Sequence, residues 1–152
     1  MEIARDLANV SSSDYRKVES TSSKKGFIYV RAMVRKAAGH ITLEEFVPGD
    51  IMTCAYYCTE IHYVLQGEAE ISYSLPPFFQ KEKVKKTYAK AGDAYLMYCG
   101  ERVTFKITSD VPYRHICFLQ PAPPLPNGEH LVDDLYEKFN ERLFQSFKDR
   151  EE

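Results

Sequence analysis

The sequence predicts an all-β antiparallel sandwich or barrel followed by a C-terminal α-helix. Three observations carry this reading. Residues 27–119 are rich in Val, Ile, Tyr, Phe and Thr, and turn residues interrupt them roughly every ten positions. Within that stretch Ala69, Ile71 and Tyr73 alternate with Glu68, Glu70 and Ser72, the period of a strand with one buried face. Beyond the run QPAPPLP, Leu131, Leu135, Phe139, Leu143 and Phe147 recur every four residues with Val132, Tyr136 and Phe144 beside them, which makes one wide apolar stripe on a helix.

Taken in order, residues 1–26 read as a polar, Ser-rich N-terminal arm with a weak helical pattern in Ile3, Leu7 and Val10. Strands are expected at Phe27–Lys36, His40–Phe46, Met52–Tyr57, Ile61–Leu65, Ala69–Tyr73, Lys86–Ala89, Ala94–Tyr98, Val103–Thr108 and Arg114–Leu119. The charged run Lys81–Lys86, after Phe78 and Phe79, reads as a solvated hairpin tip, with a lid over a barrel mouth as the alternative. Proline donates no ladder hydrogen bond, so Gln120–Pro126 ends the sheet as a stiff connector, and Asn127 can cap a helix reaching about Asp149. Three zones result: the arm at 1–26, a barrel at 27–120, and the connector with its amphipathic helix at 121–152. The helix packs either on its own barrel or on a second copy. The breadth of its stripe, and an arm able to pair along a neighbour's exposed edge, lead to the expectation of a homodimer.

The chain has 152 residues, enough for one domain with its own core. Lys and Arg number 20 against 22 Asp and Glu, a net charge of -2, which gives no electrostatic case for nucleic acid or an anionic membrane. No apolar run approaches the roughly 18 residues of a membrane span. The opening MEIARDLANV lacks the apolar core of a secretory signal, so a cytoplasmic protein with reduced thiols at Cys54, Cys58, Cys99 and Cys117 is expected. These cysteines do not pair at the spacing of a zinc site, and neither a phosphate loop nor a nucleophile elbow is present.

The segment EIHYVLQGEAEI (Glu60–Ile71) resembles the first motif of the cupin superfamily, G-x5-H-x-H-x(3,4)-E-x6-G, with Glu60 and Gly67 at its close and Pro48-Gly49-Asp50 near its opening. The segment AKAGDAYLMYCGERV resembles the second, G-x5-P-x-G-x2-H-x3-N, at Gly92 and Gly100. The resemblance covers about residues 40–120 and implies a double-stranded β-helix, the jelly-roll barrel. It also implies a metal held by three His and one Glu. Here those His positions fall on Cys54, Tyr56 and Val103, or on Thr53 and Ala55 in the longer spacing, and Tyr98 and Ile107 replace the usual Pro and Asn. Only Glu60 survives, so the ordinary metal site is expected to be lost and no cofactor is expected. If a metal is bound, Glu60, His62 and His115 are the expected ligands, with Cys54 as a substitute. The ExxYVLxGE core without its histidines is also similar to small ethanolamine-utilisation-type cupins.

If Glu60 points inward, so does His62 two residues on, and the two become the expected catalytic acid and base of a small-molecule enzyme. Cys54 and Tyr56, at the lost ligand positions, are expected to line the cavity with Tyr95, Met97, Phe105, Tyr113 and His115 as substrate-binding residues. On the last strand His115 and Cys117 share one face and Arg114 and Ile116 the other, and the apolar Ile116 leaves open which face turns in. Eleven Tyr and no Trp suit a pocket mixing apolar surfaces with hydroxyls. The function expected is metal-independent acid/base chemistry by an isomerase, lyase or cyclase on a carbonyl-bearing or aromatic metabolite. The alternatives are a metal-dependent dioxygenase or lyase with altered ligands, and a non-catalytic ligand-binding or assembly module. The remaining 30 or so residues, at 121–152, are too few for a DNA-binding helical domain.

Overall fold

A computed structural model describes residue 7 and residues 11–36, 39–56, 58–74, 84–98 and 101–120. Ten strands follow one another: β1 (Arg16–Glu19), β2 (Phe27–Lys36), β3 (Gly39–Phe46), β4 (Ile51–Ala55), β5 (Thr59–Gln66), β6 (Glu68–Ser74), β7 (Val84–Lys90), β8 (Ala94–Met97), β9 (Arg102–Ile107) and β10 (Tyr113–Gln120). They form a six-stranded sheet in the order β1-β2-β3-β10-β5-β8 and a four-stranded sheet in the order β4-β9-β6-β7, with every pair antiparallel. The expected all-β jelly roll is therefore the fold. Gln120, expected to open the connector, instead closes β10. The rest of the connector, the expected helix at 127–149, the Phe78–Phe79 lid and Cys99 lie outside the described residues. No described helix is long and apolar enough to cross a membrane.

Period-two alternation turns one face of each strand into the space between the sheets. On β5, Glu60, His62 and Val64 are buried while Ile61 and Tyr63 are exposed. On β9, Val103, Phe105 and Ile107 are buried, and on β4 Met52 and Cys54 meet them in the same core. The strand β1 lies inside the stretch expected to be an arm. It pairs antiparallel with β2 of its own chain, Val18 opposite Ile28, so it extends its own sheet. Residues 22–24 then run along the edge of β4, where Thr53 N–H donates to Ser22 O and Lys24 N–H to Ile51 O. The fully buried Asp50 ties this crossing: its carboxylate accepts from Ser23 Oγ at 2.6 Å, from its neighbour Ile51 N–H at 2.7 Å and from Lys25 N–H at 3.2 Å.

The outer face of the six-stranded sheet is also apolar. Tyr15, Leu43 and Ile116 are buried there with Tyr29, Met33 and Ile41 against them. This second cluster is why Ile116 can face outward.

Between β5 and β6 the chain turns at Gly67, whose φ is +81°. A Cβ there would stand 2.7 Å from Pro112 O and 2.9 Å from Tyr113 Cα, both backbone atoms that cannot step aside cheaply. Gly67→Ala is expected to cost about 2–3 kcal/mol, from the left-handed backbone and the clash together. Urea unfolding of both proteins checks this, and a loss under about 0.5 kcal/mol would contradict the turn geometry.

Candidate functional site

Between the two sheets lies a polar cluster built from four strands. β5 supplies Glu60 and His62, β10 supplies His115 and Cys117, β3 supplies Glu44, and β4 supplies Cys54, with Cys58 just before β5. All are buried, and Glu60, His62, His115, Cys117 and Cys54 are at most 1% exposed. β10 runs between β3 and β5, which brings the three strands' side chains together: His115 pairs with Glu44 on one side and Val64 on the other, and Cys117 with His62. His115 and Cys117 therefore point inward. The outward Arg114 meets Glu45 in an ion pair on the other face of the sheet.

Glu60 Oε2 and His62 Nε2 are 3.0 Å apart. Burial first, and then the neighbouring Glu44 carboxyl, raise the Glu60 carboxyl well above the ordinary range, while a thiol bond from Cys58 opposes the shift. Burial and the adjacent His115 lower the His62 imidazolium well below its ordinary range. Both groups are therefore held neutral, and the Glu60 hydroxyl donates to His62 Nε2. That places the ring proton on Nδ1, directed at Cys117 Sγ 3.8 Å away. Cys58 Sγ donates to the second Glu60 oxygen at 3.6 Å. Burial first, and then Glu44 and Glu60 nearby, raise the Cys117 pKa well above the ordinary thiol range, which keeps it a thiol.

Aromatic rings wall this line of donors. Tyr95 lies 5.1 Å and Tyr56 5.8 Å from the His62 ring, between centroids, and Phe105 lies close to both imidazoles. His115 stacks on His62 with centroids 4.8 Å apart and planes within 13°. Neither ring nitrogen of His115 has a hydrogen-bond partner. Its Nε2 lies 3.4 Å from Glu44 Oε2, near enough for electrostatic contact but outside hydrogen-bond geometry.

A separate cavity of about 270 Å³ opens between the edge strands β7 and β8. Ile71, Tyr73, Thr87, Tyr95, Met97 and Glu101 line it, with Lys85 on the β7 side. Tyr95 borders both spaces. Its hydroxyl shares a 2.9 Å hydrogen bond with Tyr113, and burial raises the pKa of both phenols, so both stay protonated. Glu101 is 3% exposed and accepts the Tyr98 N–H at 2.9 Å. Burial raises its carboxyl above the ordinary 4.5.

Of the residues expected to form the site, Glu60 and His62 are together, and Tyr95 and Met97 line the cavity at the mouth. Cys54, Tyr56, Phe105, Tyr113 and His115 are packed in the interior and do not line that cavity. Sequence reasoning passed over Glu44 and Glu101. The adjacent Glu44 and Glu45 carried a usable signal, since on a strand one of two neighbours must face inward. Glu101 carried a weaker one, as an acid beside an apolar β-run.

The donors at the motif positions do not match the metal that the resemblance implies. Val103 offers none, and Cys54 stands where an imidazole is usual. Among the described residues, the grouping whose donor atoms do converge is His62, His115 and Cys117, all within 4.8 Å of one another.

No family model matches the chain, and no curated protein matches it. Solved structures do. A predicted oxalate decarboxylase from Thermotoga maritima superposes with a TM-score of 0.58 at 18% identity, covering 74% of this chain and 97% of that one. A protein assigned as ethanolamine utilization protein Q in Salmonella typhimurium gives 0.57 at 15% identity, covering 81% and 94%. The cupin domain of Schizosaccharomyces pombe Cnp3 gives 0.52 at 10% identity, covering 62% and 64%. The shared property is the fold: this chain is a small domain with the cupin jelly roll.

Glu60→Gln is expected to change stability by less than about 1 kcal/mol, because an amide N–H replaces the carboxyl O–H as donor to His62. Glu60→Ala is expected to cost about 3 kcal/mol, from a cavity and an imidazole left without its partner. A Gln variant as damaging as the Ala variant would show an ionised pair, whose rupture costs about 3–5 kcal/mol.

Proposed function

We propose that this chain is a small-molecule enzyme of acid/base type, an isomerase, lyase or cyclase, whose carbonyl-bearing or aromatic substrate occupies the cavity at the barrel mouth. The observation that carries the reading is Glu101: a buried carboxyl, anchored by a backbone N–H, on the wall of an open cavity of about 270 Å³. Burial raises the carboxyl above the ordinary 4.5, and a carboxyl so raised is suited to both taking and returning a proton. The cavity supplies the other parts. Ile71 and Met97 give apolar surface, Tyr73 and Tyr95 lie beside it with phenol groups suited to polarise a carbonyl, and Lys85 offers a cation to an anionic group. Glu60 and His62 lie deeper than this cavity, and their part is to hold the inner wall behind Tyr95 in place. Fold neighbours as unlike as a predicted oxalate decarboxylase and the cupin domain of Cnp3 mean that the reaction class rests on the cavity and not on the fold.

The test uses the four methionines as reporters. A panel of small aromatic and aliphatic aldehydes, ketones and hydroxy acids is added to methyl-labelled protein. A substrate-class compound is expected to shift the Met97 methyl in the cavity and leave Met33, on the outer face, unmoved. Turnover of that compound is expected to fall about 10²–10⁴-fold in Glu101→Gln with binding retained. In the parent protein the pH–rate profile should carry a limb above the ordinary carboxyl value of 4.5, and the Gln variant should lose it. Binding without turnover would replace the enzyme by a binding module, and a panel that never moves Met97 would remove the cavity from consideration.

A further inference from the structure

The mouth cavity makes no use of His62, His115 and Cys117, yet these are among the most deeply buried polar side chains of the barrel. His115 is the anomaly. Neither nitrogen of this buried imidazole is hydrogen-bonded, and buried polar groups left without partners call for an occupant such as water or an ion. The other two members converge on the same space, with Cys117 Sγ 3.8 Å from His62 Nδ1.

We propose that this cluster is a metal site for a zinc-class divalent cation, held by His62 Nδ1, His115 Nδ1 and Cys117 Sγ. Two nitrogens and one sulfur suit such a borderline ion better than magnesium or calcium, which take oxygen donors. Zinc bonds of about 2.0–2.1 Å to nitrogen and 2.3 Å to sulfur place tetrahedral N and S neighbours about 3.5 Å apart. The 3.8 Å separation is close to that, and the widest separation in the group, under 4.8 Å, closes by about 1 Å. The two rings are within 13° of parallel, whereas lone pairs lie in the ring planes, so one ring must turn about its Cβ–Cγ bond to meet the ion. His115 is the ring that no hydrogen bond restrains.

The surroundings are those of a ligated imidazole. Glu60 Oε2 stands 3.0 Å behind His62 Nε2, and Glu44 Oε2 stands 3.4 Å behind His115 Nε2. Bonded to His62 Nε2, a Glu60 carboxylate would fix that ring's tautomer and make Nδ1 the better ligand, and Glu44 stands near enough to do the same for His115 once its ring has turned. Charge balances as well: binding a dication releases one proton from Cys117 and one from His62 Nδ1 while the Glu60 proton passes to His62 Nε2, so the net charge of the buried cluster does not change. The ligands come from β5 and β10, so the site differs from the motif positions on β4, β5 and β9. Three protein donors leave a fourth position open.

Full-length protein stripped by chelator and titrated with Co²⁺ tests this. About one ion per chain is expected, with a thiolate-to-cobalt charge-transfer band in the near ultraviolet. Cys117→Ser should abolish the band, His115→Gln should weaken binding about tenfold or more, and Cys54→Ser should keep the band. No cobalt uptake, a band that survives Cys117→Ser, or one lost in Cys54→Ser alone would overturn the assignment. X-ray absorption of zinc-loaded wild-type protein decides the case even if a variant misfolds: two nitrogens and one sulfur support it, and a shell without sulfur refutes it. The mouth-cavity reading can fail in its methionine assay without touching this result, and the reverse holds.

Discussion

A carboxyl and an imidazole share one hydrogen bond between the two sheets, and the interior is arranged around it. Glu60 and His62 are both 1% exposed, so neither charge has water to solvate it. An isolated ion there would cost many kcal/mol, and the pair instead stays neutral and bonded. Every later feature inherits that constraint. The proton on His62 Nδ1 points at Cys117, the Cys58 thiol completes the second Glu60 oxygen, and Tyr56, Tyr95 and Phe105 close the space with rings that make no competing demand for charge. β10 must lie between β3 and β5 for this to assemble, and the sheet order puts it there.

The molecule divides its chemistry between two compartments that meet at Tyr95. The interior concentrates thiols, imidazoles and carboxyls away from solvent. The mouth, between the edges of β7 and β8, presents apolar surface, hydroxyls, one buried carboxyl and one ammonium. Proteins with the same fold and under 20% identity carry unlike names, so the fold by itself does not select a reaction, and any chemistry proposed for this chain has to be argued from its side chains.

Much of the frame was legible in the sequence. The alternation through Glu60, His62 and Val64 is the strand period itself, and its burial follows the reading residue by residue. What was not legible has a physical cause. The inward face of β10 could not be chosen because Ile116 sits on an outer surface that is itself apolar, covered by Tyr15 and flanked by Leu43. Hydrophobicity marks a buried side only when the other side is wet, and here neither is. β1 was hidden for the opposite reason: Arg16, Lys17 and Glu19 are exposed, and an edge strand with little to bury shows no pattern to read. Glu44 and Glu101 were passed over because buried acids are rare, and their burial depends on the partners the fold brings, not on their neighbours in sequence.

The neutral Glu60–His62 pair is open to direct observation by long-range ¹H–¹⁵N correlation of the histidine side chains in metal-free protein near neutral pH. The account predicts a neutral His62 with its proton on Nδ1 and Nε2 accepting from Glu60, and no conversion to imidazolium as the pH falls through the ordinary histidine value of 6.5. A His62 resonance pattern with both nitrogens protonated at neutral pH would contradict it.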